Sequence, residues 1–383
     1  MQFVHSEEQQ MIRASARSFL ESYDSARLRA ALAAPGGYEA TFWQQVSAEL
    51  GWCGLAIPEA YGGAGLGWVE LCILQEEQGR RLAASPFFAT VALGAALVRE
   101  CASVAQQAEL LTHIAAGGLR LACALGGPDG RPPPEGVAVW LKSLPGGLEL
   151  SGVSDFVIHA DSADLLLVLA RGDDPQDLSL LLLPPASVGV SIEPHVMLDL
   201  TRPMSRVTFA NVRLREDALI GARGAAAAAL GRALDLARIA LASEALGGAE
   251  RVLEITTEYV KQRIQFGRAI GSFQALKHRL ADMMIEVEAA RSAAWYAACV
   301  ADEAPQELQE AAAIAKSYCC DAFYNCAASA IQLHGGLGFT WEHDVHLYFK
   351  RARASATLLG SPAWQRERLL RSLGFGAAAT PVF

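Results

Sequence analysis

Residues 263–274 have the sequence RIQFGRAIGSFQ, residues 331–339 have the sequence IQLHGGLGF, and these two stretches decide the fold. Each combines glycine with aromatic and amide side chains, and each interrupts long alanine-rich sequence. The alanine-rich segments, residues 224–263, 272–303 and 306–333, have the apolar spacing of amphipathic helices. Helices of this length, joined by short breaks, predict an antiparallel helical bundle.

Upstream of the bundle, residues 119–215 have a different texture. Short apolar runs alternate there with turn sequences such as GGPDG at residues 126–130 and PGG at residues 145–147. Evenly spaced short strands of this kind are typical of a small β-barrel or sandwich. The sequence therefore predicts a central β domain ahead of the bundle.

The first 118 residues again have helical periodicity. Ser6 precedes an apolar pattern that includes Met11 and Phe19, which is typical of a capped amphipathic helix. A glycine-rich break at residues 51–67 is followed by helical patterns over residues 68–81 and 86–100. The predicted order is helices, then a β domain, then a helical bundle.

Composition narrows the class of protein. The chain has 383 residues, of which 52% are hydrophobic and 19% charged, so it can bury a large core. Its formal net charge of −9 does not favour binding to nucleic acid, whose partners carry basic stripes. No signal-peptide pattern or membrane-spanning apolar run is evident, and eight cysteines without a paired CxxC framework suit a reducing compartment. We expect a cytoplasmic protein that does not enter a membrane.

A third stretch, residues 50–65 with the sequence LGWCGLAIPEAYGGAG, precedes the other two. In this order and spacing, the three stretches resemble the acyl-CoA dehydrogenase family over residues 3–370. The resemblance implies an α+β fold with an N-terminal helical domain (1–118), a central β-barrel or sandwich (119–221) and a C-terminal four-helix bundle (222–383). It also implies FAD held at a subunit interface and α,β-desaturation of an acyl-CoA thioester.

The same resemblance assigns residues that grip the adenosine and pyrophosphate end of a neighbouring chain's FAD. These residues are Arg263, Gln265, Phe266, Gln274, Gln332, Gly335 and Gly336. A guanidinium suits a phosphate in charge and geometry, and paired glycines let the backbone approach a cofactor closely. The alternatives are that Arg263 lies on a solvated helix face and that Gly335 and Gly336 form an ordinary helix C-cap.

In the family, two motifs contact the isoalloxazine end of FAD. This sequence departs from the family pattern at both. Where the family has a TEPxxGSD-like loop, residues 124–130 have the sequence ALGGPDG. Where it has a WITN-like strand, Phe156 replaces the tryptophan and Ile158 replaces the threonine, so a hydroxyl donor is lost. Phe156 could still stack. We expect the β domain to persist as structure while its flavin-ring face is lost.

The family places a catalytic glutamate at one of two positions, and neither holds a carboxylate here. Leu359 occupies the position in the YEGT-like turn, and Ala237 occupies the position early in the bundle. A general base must accept a proton, which neither side chain can do. Asp235, Glu244 and Glu342 are candidate replacements, each with the alternative of a solvated or ion-paired helix residue.

Arg238 matches a family arginine near the CoA entrance, and it is the one substrate-binding residue that the resemblance suggests. Its alternative is a plain ion pair. No metal site is predicted, because His334 lies inside the second stretch without the spaced companions of a metal ligand. A Rossmann fold has little support, because no GxGxxG follows a strand and opens a helix.

The chain keeps the residues it would offer to a neighbour's FAD and lacks those it would need for its own flavin and substrate. This pattern resembles the small subunits of two-component acyl-CoA dehydrogenases, which are associated with dicarboxylyl-CoA and steroid side-chain substrates. The resemblance implies a heterotetramer with a catalytic acyl-CoA dehydrogenase subunit, and an electron-transfer acceptor. Two alternatives stay open: a homomeric flavoenzyme with a relocated base or non-dehydrogenating chemistry, and a purely structural subunit.

Overall fold

The alanine-rich segments form the longest helices of the protein. The structure is a computed structural model that describes residues 4–174 and 177–375. Within these residues, the α-helices are α1 (Glu7–Glu21), α2 (Ser25–Ala33), α3 (Ala40–Gln44), α4 (Trp68–Arg81), α5 (Ala96–Cys101), α6 (Val104–Ala115), α7 (Ala226–Gln262), α8 (Gln274–Glu303), α9 (Leu308–His334), α10 (Val345–Thr357) and α11 (Pro362–Ser372). The predicted bundle helices thus correspond to α7, α8 and α9.

The predicted β region forms one sheet. Its strands are β1 (Leu121–Ala124), β2 (Val139–Leu144), β3 (Gly147–Ile158), β4 (Leu165–Arg171), β5 (Leu178–Leu183), β6 (Val190–Pro194), β7 (Met204–Leu214) and β8 (Leu219–Ile220). The strand order is β6-β7-β3-β2-β4-β5-β8, and β1 pairs with β4 in parallel. A separate hairpin pairs β9 (Ile264–Gln265) with β10 (Arg268–Ala269). The sheet is therefore mixed, with mostly antiparallel pairs.

The chain divides into two compact units. The helical unit comprises Met1–Tyr23, Cys72–Leu82 and Arg238–Phe383, and the sheet unit comprises Asp24–Leu71 and Ala83–Ala237. In the helical unit, α9 packs against α8, α10 and α11. In the sheet unit, apolar side chains such as Leu150, Leu166 and Leu181 form a fully buried core. The α+β fold class is confirmed, and the three domain ranges stay a prediction.

Local signals explain several element ends. Ser6 caps α1 through a reciprocal pair: its hydroxyl accepts from the Gln9 backbone N–H, and the Gln9 side chain accepts from the Ser6 N–H. The expected helix over residues 86–100 is instead a π-helix over Phe88–Ala95 followed by α5. Every side chain of this π-helix is buried, so packing rather than apolar spacing sets its winding.

Charged side chains join four helices of the helical unit. Arg80 of α4 pairs with Glu250 and Glu254 of α7, the latter at 2.8 Å. Arg13 of α1 contacts Glu76 of α4, and Arg291 of α8 reaches Glu250 at 3.0 Å. These partners offset the cost of removing the charges from water. None of the described helices is both long and apolar enough to cross a membrane.

Candidate cofactor and catalytic sites

The predicted nucleotide-end residues begin on a tight hairpin that follows α7. Phe266 and Gly267 form its two-residue turn with φ angles of +54° and +74°, as a type I′ turn requires. Asparagine and glycine favour this conformation, whereas a phenylalanine in it is strained. The Phe266 side chain is nevertheless 89% exposed, and its ring meets Phe273 edge-on at 6.1 Å. The hairpin therefore presents an aromatic ring at a site that does not bury it.

Three polar residues accompany this ring. Arg263 is exposed, and no ion pair to it is found within the part of the chain that the structure describes. Gln265 is also exposed, and its side-chain amide donates to the Ile264 carbonyl. Gln274 opens α8, whose N-cap residue Phe273 gives no side-chain cap. The Leu276 N–H donates to the Phe273 carbonyl at 3.2 Å, so the N–H groups of Gln274 and Ala275, with the exposed Arg263 guanidinium, are the donors for an anionic group.

The second predicted stretch lies at the end of α9. Gly335 follows the helix with φ +59° and ψ −136°, so its conformation suits glycine. Gly336 has a negative φ, and a side chain built on either glycine would meet open space. Gly335 thus serves the helix end, in agreement with the C-cap alternative. Nothing within 4 Å of a Cβ at 336 requires glycine in the described chain, and a cofactor contact at Gly336 stays a prediction.

Tyr259 brings the two stretches together. Its ring stacks on His334 at 4.2 Å, and its hydroxyl lies 3.4 Å from the His334 carbonyl. The Tyr259 carbonyl in turn accepts from the Arg263 N–H. The last turn of α7 therefore contacts the last turn of α9, with Gln332 and Gly335 on the exposed side. Sequence reasoning missed Tyr259, although it lies four residues before Arg263 at helical spacing.

His334 is buried at the C-terminal end of α9. Its Nδ1 lies 2.8 Å from the Ala330 carbonyl, and its Nε2 has no partner in the described residues. Burial, together with the charge of His343, lowers the pKa of His334 below its ordinary value. The described residues contain no group of three or more His, Cys, Asp or Glu that could hold a metal ion.

The first base position holds a strained leucine. Leu359 is half-buried with φ +56°, and its carbonyl accepts from Arg238 Nε at 3.0 Å and Gln365 Nε2 at 2.9 Å. Ala237, at the second base position, is fully buried. Residue identity alone shows that neither position bears a proton acceptor. The structure adds that two hydrogen bonds hold the carbonyl of the Leu359 turn.

Arg238 lies in the interior of the helical unit. It is 2% exposed, and its guanidinium lies 5.2 Å from the Trp364 ring. Lys316 is equally buried and donates to the Ala356 carbonyl at 2.7 Å, while burial lowers the pKa of the Lys316 amine. Both cations face the C-terminal end of α10, where the helix dipole favours positive charge. These contacts fix the Leu359 turn, and substrate contact by Arg238 stays a prediction.

The candidate replacement bases differ in their surroundings. Glu244 is buried and pairs with Arg351 at 2.8 Å, so its carboxylate is engaged within the helical unit. Asp235 is also buried, and Glu342 is exposed. A base role for any of the three stays a prediction.

The predicted flavin-ring position contains side-chain contacts that the sequence did not indicate. Phe156 is 44% exposed with φ +57°, and its ring stacks on His195 at 5.5 Å. Ile158 is buried and contributes only to packing. The loop over residues 124–130 is fastened to this strand, because the Gly126 carbonyl accepts from Ser154 Oγ at 2.8 Å. Sequence reasoning missed His195, which lies on a different segment of the sheet unit.

Comparison with known proteins identifies the class. Residues 6–118 match the family described as acyl-CoA dehydrogenase, N-terminal domain, and residues 223–374 match acyl-CoA dehydrogenase, C-terminal domain. The chain belongs to the acyl-CoA dehydrogenase family, which confirms the resemblance. FAD, the cofactor that the resemblance implied, is confirmed for the family, whose members are oxidoreductases that act on CH–CH bonds.

Three relatives are similar over nearly the whole chain. Acyl-CoA dehydrogenase IpdE2 of Mycobacterium tuberculosis is 35% identical over 95% of this chain and 96% of its own length. A structure of a Tcur3481-Tcur3483 steroid ACAD variant is 33% identical with a TM-score of 0.85, covering 97% of this chain and 99% of that one. The ChsE4-ChsE5 complex of Mycobacterium tuberculosis is 26% identical with a TM-score of 0.88, covering 99% and 100%.

Proposed function

We propose that this chain is a subunit of an FAD-dependent acyl-CoA dehydrogenase and contributes nucleotide-end contacts to FAD shared with a catalytic partner subunit. The partner would bring the carboxylate base and the principal isoalloxazine pocket. The similarity to the ChsE4-ChsE5 complex and to the Tcur3481-Tcur3483 steroid ACAD, each named for two components, supports a heteromeric complex such as a heterotetramer.

The observation that carries the proposal is that both base positions lack a carboxylate, while the predicted nucleotide-end positions hold exposed residues. Leu359 and Ala237 cannot accept a proton, so this chain alone lacks the family's means of removing the α-proton. Arg263, Phe266 and Gly336 are exposed, and the chain's own packing does not account for them. Residues that serve a neighbour's cofactor would show this combination.

The retained residues fit the adenosine and pyrophosphate end of FAD. The Arg263 guanidinium would pair with a phosphate, and the start of α8 would add N–H donors. The Phe266 ring would cover an apolar face of the cofactor, and Gly336 would allow close backbone approach. When bound, FAD supplies the acceptor for the hydride of desaturation. In this proposal the substrate is an acyl-CoA, and the similarity to a steroid ACAD favours a steroid acyl group. An electron-transfer protein would then reoxidise the complex.

Co-expression with the neighbouring gene, followed by measurement of FAD per assembly, tests the proposal. Arg263→Gln should lower the FAD content of the purified complex severalfold, because a charge-assisted phosphate contact is lost. Lys261→Gln is the matched control, since it removes the same charge from an exposed position two residues earlier. FAD content should be unchanged in this control.

Other outcomes would favour the alternatives. Full flavin loading and acyl-CoA turnover by the purified chain alone would favour a homomeric flavoenzyme with a relocated base. An Arg263→Gln complex that retains its FAD would favour a purely structural subunit.

A further inference from the structure

Three aromatic side chains form a ring cluster next to the turn that carries Gly335 and Gly336. His334 belongs to both contacts of the cluster: Tyr259 of α7 stacks on it with centroids 4.2 Å apart and an interplanar angle of 21°, and His343 of the following loop lies at 4.6 Å and 49°. The cluster belongs wholly to the helical unit, as do the predicted nucleotide-end residues. A change in its rings therefore affects the last turn of α7 and the last turn of α9 together.

The hydrogen bonds of His334 fix the position of its proton. Nδ1 lies 2.8 Å from the Ala330 carbonyl, and a carbonyl oxygen only accepts, so Nδ1 carries the proton of the neutral ring. Nε2 is then unprotonated, and it is buried without a hydrogen-bond partner among the described residues. The residue as a whole is 3% exposed. A second proton on this ring would therefore create a buried N–H group that has no acceptor.

The surroundings of His334 oppose that second proton. Burial of a charged group without a partner is unfavourable, and burial is the largest cause that lowers the pKa of His334. The charge of His343 lowers this pKa further, whereas the hydrogen bond to Ala330 acts in the opposite direction. Tyr259 faces the ring from α7 and His343 faces it from the loop, and no carboxylate in the described part of the chain offsets the charge of a protonated ring.

We propose that the ring cluster is a pH-sensitive latch on the predicted nucleotide-end residues. At neutral pH the neutral His334 ring stays buried and holds the ends of α7 and α9 together. On acidification the protonated ring turns towards water, because Nε2 finds no acceptor where it lies, and the contact with Tyr259 is lost. Arg263, whose N–H donates to the Tyr259 carbonyl at 2.9 Å, then loses its fixed position relative to the Gly335 turn. This inference rests on the proposed function and adds that acid releases FAD.

Hydrogen exchange of the purified full-length chain tests the latch without FAD. Peptides over residues 255–263 and 328–336 should exchange faster at about pH 5 than at about pH 8, after correction for the intrinsic rate. Peptides over residues 294–303, at the end of α8, are the internal control and should show no such change. His334→Phe keeps a ring in the cluster but cannot be protonated, so acid should not accelerate its exchange.

Two further variants guard against a folding defect in His334→Phe and test the role of charge. His334→Asn can still donate to the Ala330 carbonyl but lacks the ring, so its exchange should be fast at both pH values and should not respond to acid. His343→Asn removes a charge that lowers the pKa of His334, so the acid response should move towards neutral pH. His113→Asn, at an exposed position of α6, should leave the response unchanged.

FAD release from the co-expressed complex tests the consequence. Dissociation of FAD should be severalfold faster at about pH 5 than at about pH 8 in the wild type, and this effect should be absent in His334→Phe. No acid acceleration in the wild type, or an equal acceleration in His334→Phe, would overturn the proposal for exchange and for FAD release alike. Failure of the proposed function gives a different result, because the Arg263→Gln complex would then keep its FAD, whereas the exchange measurement does not depend on FAD.

Discussion

Replacing Phe266 with asparagine should stabilise the isolated chain and weaken the hold of the assembly on FAD. Phe266 occupies the first position of a type I′ turn with φ +54°, a conformation that asparagine tolerates well. Its side chain is 89% exposed, so little burial is lost on truncation. The two effects act in opposite directions because, in the proposed function, the ring contacts FAD while it contributes little to the stability of the fold.

The expected gain in stability follows from two magnitudes. A non-glycine residue in the left-handed region costs about 1–2 kcal/mol. Against this, the edge-on contact with Phe273 at 6.1 Å is lost, which at this exposure contributes about 0.5 kcal/mol. Phe266→Asn should therefore raise the free energy of unfolding by about 1 kcal/mol.

Phe266→Ala separates the strain from the ring. Alanine also removes the ring but keeps the unfavourable φ, so the difference between the two variants isolates the strain. Urea unfolding of the isolated chain should place asparagine above alanine by about 1 kcal/mol. Calorimetric titration of the co-expressed apo-complex with FAD should show both variants weakened to a similar extent. Equal stability of the two variants would refute the strain argument, and wild-type FAD affinity in both would refute the role of the ring.

Three further predictions concern charged groups. Glu244→Gln should lower the free energy of unfolding by about 3 kcal/mol in urea, because it weakens the pairing of buried Arg351. Arg238→Met should cost about 2 kcal/mol in the same assay, because the Leu359 carbonyl loses a charged donor. Asp155→Asn should be less stable than the wild type at pH 7, and the difference should shrink on acidification. The folded-state pKa of Asp155 lies below its unfolded value, so its stabilisation is present above the unfolded value and is lost as pH falls through the folded one.

Exposed residues of the same types provide the controls. Glu367→Gln and Arg371→Met break a pair whose side chains are 57% and 65% exposed, so each should change stability by less than about 0.5 kcal/mol. A Glu244→Gln or Arg238→Met variant as stable as these controls would contradict the assigned contacts. For Asp155→Asn, a stability difference that stays constant from neutral to acidic pH would show that the carboxylate contributes through packing alone.

Elements set by local signals could be predicted from the sequence. The Ser6 cap and the bounds of α4, Trp68–Arg81, were both expected, because capping side chains and helical spacing act within a few residues. The π-helix at Phe88–Ala95 was not, because its buried run of apolar residues has the same composition as a buried α-helix. Winding of this kind depends on neighbours that are distant in sequence.

The candidate sites likewise combine features that local sequence predicts with features that depend on residues distant in the sequence. The predicted nucleotide-end residues, such as Phe266, belong to short motifs that the sequence shows directly, and their role stays a prediction. The contact between His195 and Asp155 joins residues 40 positions apart, and it depends on the register of β3 with β7 and on a bulge in that pairing. Arg238 was expected at a substrate entrance from a single matching position, and only the structure shows that its guanidinium is buried against Trp364. Residue identity cannot tell an exposed arginine from a buried one.

The three predicted sites share one property, a non-glycine residue with a strained backbone. Phe156, Phe266 and Leu359 are non-glycine residues with positive φ, and they lie at the predicted ring, nucleotide-end and base positions. A turn that only had to join α10 to α11 could hold glycine at 359 without strain. The Leu359 carbonyl is instead held by two donors, so the turn keeps its geometry although its side chain cannot accept a proton. This outcome is expected for a subunit that still assembles with a catalytic partner, and it is not expected for a scaffold released from the whole site.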